Sequence, residues 1–200
     1  MSGSVTGMIL AGGSSRRMGT DKSFLDLGGK PVVERTIEIL TGSFDRVLII
    51  TNDPDKYARF GLPMRPDIIP GIGVLAGIHA GLSYLKDGAA FFAASDMPFI
   101  RPALVEYLVG AFEDTDAVVP YFRGEYEPLL ALYSKKCLSA VEKSINARKR
   151  RAISFLSNIR VRLVREGELI GVDPDLISFF NINTPEDYER AKRIAEESGP

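Results

Sequence analysis

Val5-Thr-Gly-Met-Ile-Leu10 runs directly into Ala11-Gly-Gly-Ser-Ser-Arg-Arg-Met-Gly-Thr-Asp-Lys22. The first six residues are short and apolar and end in glycines, the profile of a buried strand. Working outward, Pro31 opens a helix with Val32, Val33, Ile37 and Leu40 at helical spacing and Gly42 near its end. Arg46 to Thr51 reads as a second buried strand, and Asn52-Asp53-Pro54 turns out of it. Leu75 to Lys86 is helical, Ala89 to Ala94 a strand, Pro102 to Phe112 helical, and Asp116 to Phe122 extended. This alternation predicts an α/β fold: a mostly parallel, twisted sheet joined by right-handed helical crossovers.

The last third changes character. Phe122-Arg-Gly-Glu-Tyr126 predicts a hairpin turn into the apolar run Leu129 to Tyr133, so an antiparallel portion is expected here. A helix follows from about Lys135 to Asn146, then the basic run Arg148 to Arg151. Val161 to Arg165 and Ile177 to Asn181 read as further strands. Thr184-Pro185-Glu186-Asp187 is a helix start, with a hydroxyl cap, a proline at the first position and acids in the first turn. No repeat, low-complexity tract or linker divides the chain. One domain over residues 1–200 is expected.

Composition narrows the function. The 200 residues are 45% apolar and 26% charged, with a formal charge of −1. Such a chain has no global field for gripping a nucleic-acid backbone. The single Cys137 excludes an internal disulfide and suits a reducing compartment. With His79 and Cys137 as the only soft ligands, a zinc site of the usual kind cannot be built, whereas hard-metal chemistry on carboxylates stays open. No apolar run approaches the ~20 residues needed to span a bilayer, and no basic segment precedes the first apolar stretch. A cytoplasmic protein without membrane contact is expected.

In open α/β sheets ligands bind at the carboxyl ends of strands. Here the first strand ends in the glycine loop, the strand at Ala94 in Ser95-Asp96-Met97-Pro98, and the last in Asn181-Ile-Asn183. Gly12, Gly13 and Gly19 let backbone N–H groups approach a bound anion, while Arg17 and Lys22 bring positive charge. The loop lacks the Gly-Lys-Ser/Thr of a Walker motif and the spacing of a dinucleotide fingerprint. A flexible, solvated connection competes with phosphate binding. The second glycine cluster, Gly71 to Gly77, serves close packing or admits a flat ligand. Asp96 is either a helix cap or a Mg²⁺ ligand, with Asn183 as a neutral oxygen nearby. His79, on a small-residue helix, reads as a packing residue.

Together these residues resemble the molybdenum cofactor guanylyltransferases, within the nucleotidyltransferase superfamily of Rossmann-like folds. The family pattern L-A-G-G-x-S-x-R-M-G-x-D-K is matched by Leu10 to Lys22. Gly29-Lys30-Pro31, Val74 to Gly77, Ser95 to Pro98, Glu127-Pro128-Leu129 and Asn181 to Asp187 resemble the later motifs in order. Val74 replaces the usual Pro, and Ser95 the usual Cys. The resemblance implies that Leu10, Ala11, Gly12, Gly13 and Asp67 contact the nucleotide. It makes Lys22, Arg17 and Asp96 the catalytic set, with Asp96 on Mg²⁺. A family Asn that closes the second strand falls on Ile50 by spacing, with Asn52 two residues on. The implied reaction moves GMP from GTP to the phosphate of a molybdopterin-type acceptor lying over the C-terminal part. Arg148 to Arg151 would meet a second phosphate or be a solvated face. Transient contact with other cofactor-assembly proteins is implied as well. A cytidylyl- or other guanylyl-transferase of the superfamily, and a non-catalytic nucleotide-binding module, are the competing readings.

Overall fold

The computed structural model describes residues 5–12, 21–149 and 151–197. Among these, one eight-stranded sheet carries helices on both faces. Its strands are β1 (Val5–Leu10), β2 (Val47–Ile50), β3 (Met64–Arg65), β4 (Ala89–Ala94), β5 (Ala117–Phe122), β6 (Glu125–Tyr126), β7 (Leu130–Ser134) and β8 (Val161–Arg165). They lie in the order β3-β2-β1-β4-β7-β5-β6, with β8 on β5. The pairs β1–β2, β1–β4, β2–β3 and β5–β8 are parallel, whereas β4–β7, β5–β7 and β5–β6 are antiparallel. The expected mixed α/β sheet is therefore present.

The helices are α1 (Val32–Ser43), α2 (Pro54–Tyr57), α3 (Val74–Tyr84), α4 (Pro102–Gly110), α5 (Leu138–Asn146), α6 (Glu166–Val172) and α7 (Pro185–Glu197). β4 is buried along its whole length, and its two central rings point opposite ways. Phe91 enters a cluster with Val33 and Leu40 of α1 and Leu104 and Leu108 of α4. Phe92 enters another, with Leu75 and Ile78 of α3 and Val141 of α5. The approach of α3 requires small residues. A Cβ on Gly81 would stand 2.6 Å from the Phe92 ring, and one on Gly77 3.0 Å from Leu10. The second glycine cluster thus does serve packing at its C-terminal end.

Two expectations need correction. Ile177–Asn181 is not a strand: Ile177–Phe179 form a 3-10 turn. The carboxylate of Asp173, fully buried, accepts hydrogen bonds from the N–H groups of Ile177 and Ser178 at 3.3 and 2.9 Å, and winds the chain instead of letting it extend. Both edges of β4 are also taken already, by β1 and β7. The second correction is α6, which follows β8 where no helix was expected.

Candidate active site

The order of strands locates the site. From β1 the chain builds outward through β2 to β3, then returns to lay β4 on the other side of β1. Two loops therefore part at the carboxyl ends of β1 and β4, the switch point where α/β sheets hold ligands. Leu10 and Ala94 are register partners there, and the Ser95 N–H donates to the Leu10 carbonyl at 3.1 Å. This pairing sets Ala11 and Gly12, where the glycine loop begins, beside Ser95-Asp96.

Three of the expected side chains meet at that point. The Lys22 Nζ lies 2.5 Å from Asp96 Oδ2 and donates to Asn183 Oδ1 at 2.8 Å. Asp21 caps the short turn Lys22–Phe24 by accepting from the Ser23 N–H, and the Ser23 and Ser95 hydroxyls are bonded at 2.8 Å. Asn183 arrives on the segment after the 3-10 turn, tied by the Ile182 N–H to the Asp96 carbonyl at 3.1 Å. Its own N–H and that of Thr184 donate to Asp187, whose N–H donates in turn to the Thr184 hydroxyl. The expected helix start at Thr184 is thus real, and it fixes Asn183.

Leu10, Gly12, Lys22, Asp67, Asp96 and Asn183 line one cleft of about 390 Å³, along with Gly73 just before α3, Val74 at its start, Glu127 and Leu129. A neighbouring cleft of about 270 Å³ is lined by Ala11, Gly12, Lys22, Asn52 and Tyr57. Gly12 and Lys22 stand on both. Among the described residues a Cβ on Gly12 would touch nothing within 4 Å, so their packing does not demand glycine there. Gly13, Gly19 and Arg17 lie outside the described residues.

Asp67 and Asn52 form a reciprocal pair. Asn52 Nδ2 donates to Asp67 Oδ2 at 2.8 Å, and the Asp67 N–H to Asn52 Oδ1 at 2.9 Å. Ile50, by contrast, is buried within β2. Of the two residues left open by spacing, Asn52 is the one that lines the neighbouring cleft. Glu127 had a motif match but no role from sequence; it lines the same cleft as Asp96. Burial pushes the Glu127 carboxyl above the ordinary range, the Leu129 N–H it accepts opposes this, and the Asp96 charge adds to the rise.

The donor set fits a hard divalent cation. Asp96 and Asn183 already direct one carboxylate and one amide oxygen at a single positive charge, the Lys22 ammonium. Magnesium bound with phosphates needs one or two such oxygens, the rest being water and ligand. Among the described residues no cluster of three or more His, Cys, Asp or Glu is poised for a metal, so an all-protein cage is not what this site offers.

Other sequence candidates fall elsewhere. His79 is buried on α3, with Nε2 3.8 Å from Glu142 of α5 and Nδ1 unpaired, which places it in packing and away from the cleft. Lys149, from the basic run, lines a different cleft with Lys136, Lys143 and Asp116. Arg148 and Arg151 are exposed, neither lines the cleft at the switch point, and Arg150 is outside the described residues. No described helix is long and apolar enough to cross a membrane.

Comparison with known proteins gives the family. Residues 7–161 match the model of the MobA-like NTP transferase domain. The chain belongs to the MobA-like NTP transferase family. Among relatives of this family member, a probable molybdenum cofactor guanylyltransferase of Pelotomaculum thermopropionicum is 40% identical over 96% of this chain and 94% of its own. A molybdenum cofactor guanylyltransferase of Desulfosudis oleivorans is 38% identical over 94% of each. The crystal structure of molybdopterin-guanine dinucleotide biosynthesis protein A from Archaeoglobus fulgidus superposes with a TM-score of 0.85 at 32% identity, covering 96% of this chain and 99% of that one. As a MobA-like NTP transferase, the chain is a nucleotidyltransferase, and the resemblance seen in its motifs extends over nearly its whole length.

Proposed function

We propose that this protein transfers GMP from GTP to the ionised phosphate of a molybdenum–molybdopterin acceptor and releases pyrophosphate. The observation that carries this reading is the meeting of Lys22, Asp96 and Asn183 on one cleft with Gly12 at the switch point. The names of the full-length relatives supply the substrate class. An oxygen of the acceptor phosphate attacks the α-phosphorus, the bond to the β-phosphate oxygen breaks, and pyrophosphate leaves in line. The nucleophile is already ionised, so no protein base has to take a proton. That suits a site whose one histidine packs elsewhere.

The remaining task is positioning and charge neutralisation. Leu10, Ala11, Gly12 and Gly13 carry the nucleotide on the β1 side, with Asp67 held in place by Asn52. Lys22 and Arg17 meet the phosphates. Asp96 and Asn183 would hold Mg²⁺, which supplies further neutralisation of the phosphate oxygens. The division of labour puts the nucleotide on the N-terminal part of the chain and the acceptor on the C-terminal part.

Base choice tests the reading most directly. Guanine presents an exocyclic amino donor at an edge where cytosine has a carbonyl oxygen, and a bare backbone at Gly12 can approach that edge. A site whose polar groups are left unpaired by the wrong ligand discriminates strongly. GTP is expected over CTP by at least tenfold in kcat/KM, or ~1.4 kcal/mol. Equal GTP and CTP, with Mg²⁺ and the loaded acceptor, are incubated with the protein and the products weighed. Gly12→Ala should narrow the ratio with no change in thermal midpoint, since among the described residues its methyl meets no atom within 4 Å. Preferential CMP transfer would replace this reading with the cytidylyl one. GTP binding without pyrophosphate release would replace it with a binding module.

A further inference from the structure

The hairpin after β5 presents aromatic rings for which the fold has no use. Phe122 and Tyr121 leave the strand on opposite faces. Phe122 packs against Phe179, with ring centroids 4.4 Å apart, and so anchors the hairpin from beneath. Tyr121 faces the other way, as do Ala117 and Val119, which lie in the core cluster with Leu75 and Ile78 of α3. Tyr126 is its register partner on β6. The two rings meet edge to face at 5.0 Å, yet neither belongs to any core cluster. Tyr126 is 38% exposed, and neither hydroxyl has a hydrogen-bond partner among the described residues.

The hairpin is held still. Arg123 and Gly124 turn it with φ of 51° and 80°, and the Arg123 N–H donates to Glu166 of α6 at 3.3 Å. Arg165, at the end of β8, is the register partner of Tyr121, so its side chain leaves the sheet on the same face. It is exposed and makes no ion pair among the described residues. One exposed ring, one half-buried ring and one guanidinium therefore share a patch on the α3 side of the sheet.

That patch adjoins Glu127 where the hairpin ends, in the part of the sheet away from β1 and β3. Tyr126 precedes Glu127, which lines the cleft, while Gly12 and Asp67 stand toward β1 and β3. In-line displacement brings the acceptor from opposite the leaving group, and Glu127 and Leu129 are the hairpin-side residues that line the cleft. An edge-to-face pair leaves one ring face free for a flat conjugated system to stack on. A guanidinium beside it matches an ionised phosphate.

We propose that Tyr121, Tyr126 and Arg165 form the subsite on which a flat, conjugated, phosphate-bearing acceptor lies, an inference that rests on the transfer reaction above. The experiment varies acceptor and GTP separately in the full-length protein. Tyr126→Ala, and the double variant Tyr121→Ala/Tyr126→Ala, are expected to raise the acceptor KM about tenfold or more, the scale of losing a stacked ring. The KM for GTP and the thermal midpoint should stay within twofold and about two degrees. Tyr126→Phe should restore the acceptor KM, because stacking needs the ring and not the hydroxyl. Arg165→Gln should raise the same KM about fivefold. An acceptor KM unchanged in the double variant, or GTP and acceptor KM rising together, would overturn the subsite. Quenching of the fluorescence of a monophosphorylated pterin separates the two proposals. Tyr-dependent binding in a protein that transfers no nucleotide would keep the subsite and reject the transfer reading. Binding that is absent, or indifferent to the tyrosines, would reject the subsite whatever the turnover.

Discussion

The sheet has two halves of different construction. From β1 to β4 all neighbours are parallel, β4 is Ala-Ala-Phe-Phe-Ala-Ala, and α3 lies on it through Gly77 and Gly81. From β5 to β8 the strands turn back on themselves and carry rings and guanidinium groups to the surface. In the first half, helices press close because side chains are missing, and loops end in backbone and small residues. In the second, side chains reach outward and are held by other side chains, as Arg162 and Tyr107 hold Glu168. One half offers main chain to a ligand and the other offers side chains. Substitutions should therefore damage chemistry or packing in the first half, and adjust affinity or acid tolerance in the second.

The largest effect is expected at Asp96. Asp96→Ala should lower kcat by ~10³ or more through loss of the carboxylate end of the cation site. Its thermal midpoint should hold, because Lys22 keeps Asn183 and partial access to water. Activity with Mg²⁺ that survives within a few-fold would remove Asp96 from the chemistry. Lys22→Ala comes next, at about 10² in kcat/KM, the scale of one preorganised charge. An unchanged kcat/KM would reduce Lys22 to a surface lysine.

A third pair of variants makes one exchange in each half. Gly81→Ala drives a Cβ to 2.6 Å from Phe92 and should cost about 1–3 kcal/mol by overpacking. Gly167→Ala, in α6, meets nothing within 4 Å and should stabilise by about 0.5–1 kcal/mol through helix propensity. Urea unfolding of both decides it, and shifts of the same sign would erase the contrast between the halves.

Much of the first half was legible because its signals are local. Val5–Leu10 and Ala89–Ala94 are unbroken apolar runs, and Asp96 follows one of them directly. The misreadings come from partners distant in sequence or from weak periodicity. Ile177–Asn181 has a strand's composition, yet the carboxylate of Asp173 winds it into a turn. Helix α6 reads Glu-Gly-Glu-Leu-Ile-Gly-Val, where two glycines and a short apolar pair hide the helical period. The link between Asn52 and Asp67 spans 15 positions, and no spacing rule predicts it. The motif around Glu127 was visible, but its place beside the cleft depends on how the hairpin folds back.

The smallest effect is electrostatic. Glu168 accepts from Arg162, from the Arg165 N–H and from Tyr107, and these bonds hold its carboxyl down to about 2. Because the folded value lies below the ordinary one of 4.5, the stabilisation is complete above about pH 4.5 and is lost as pH falls toward 2. Glu168→Gln should thus lower the thermal midpoint at pH 7, and the gap to the unmutated protein should close with acid. A gap independent of pH would mean that the charge contributes nothing.

Lys22 and Asn183 are 161 positions apart. Synthesis runs from the amino end, so the ammonium leaves the ribosome long before the amide that it meets. The sheet is complete once β8 has emerged at Arg165, with Asn183 and α7 still to follow. A nascent chain can thus carry an assembled sheet and only half of the oxygen pair that would hold a cation. Order of translation becomes a safeguard: the candidate site is finished only after its scaffold is.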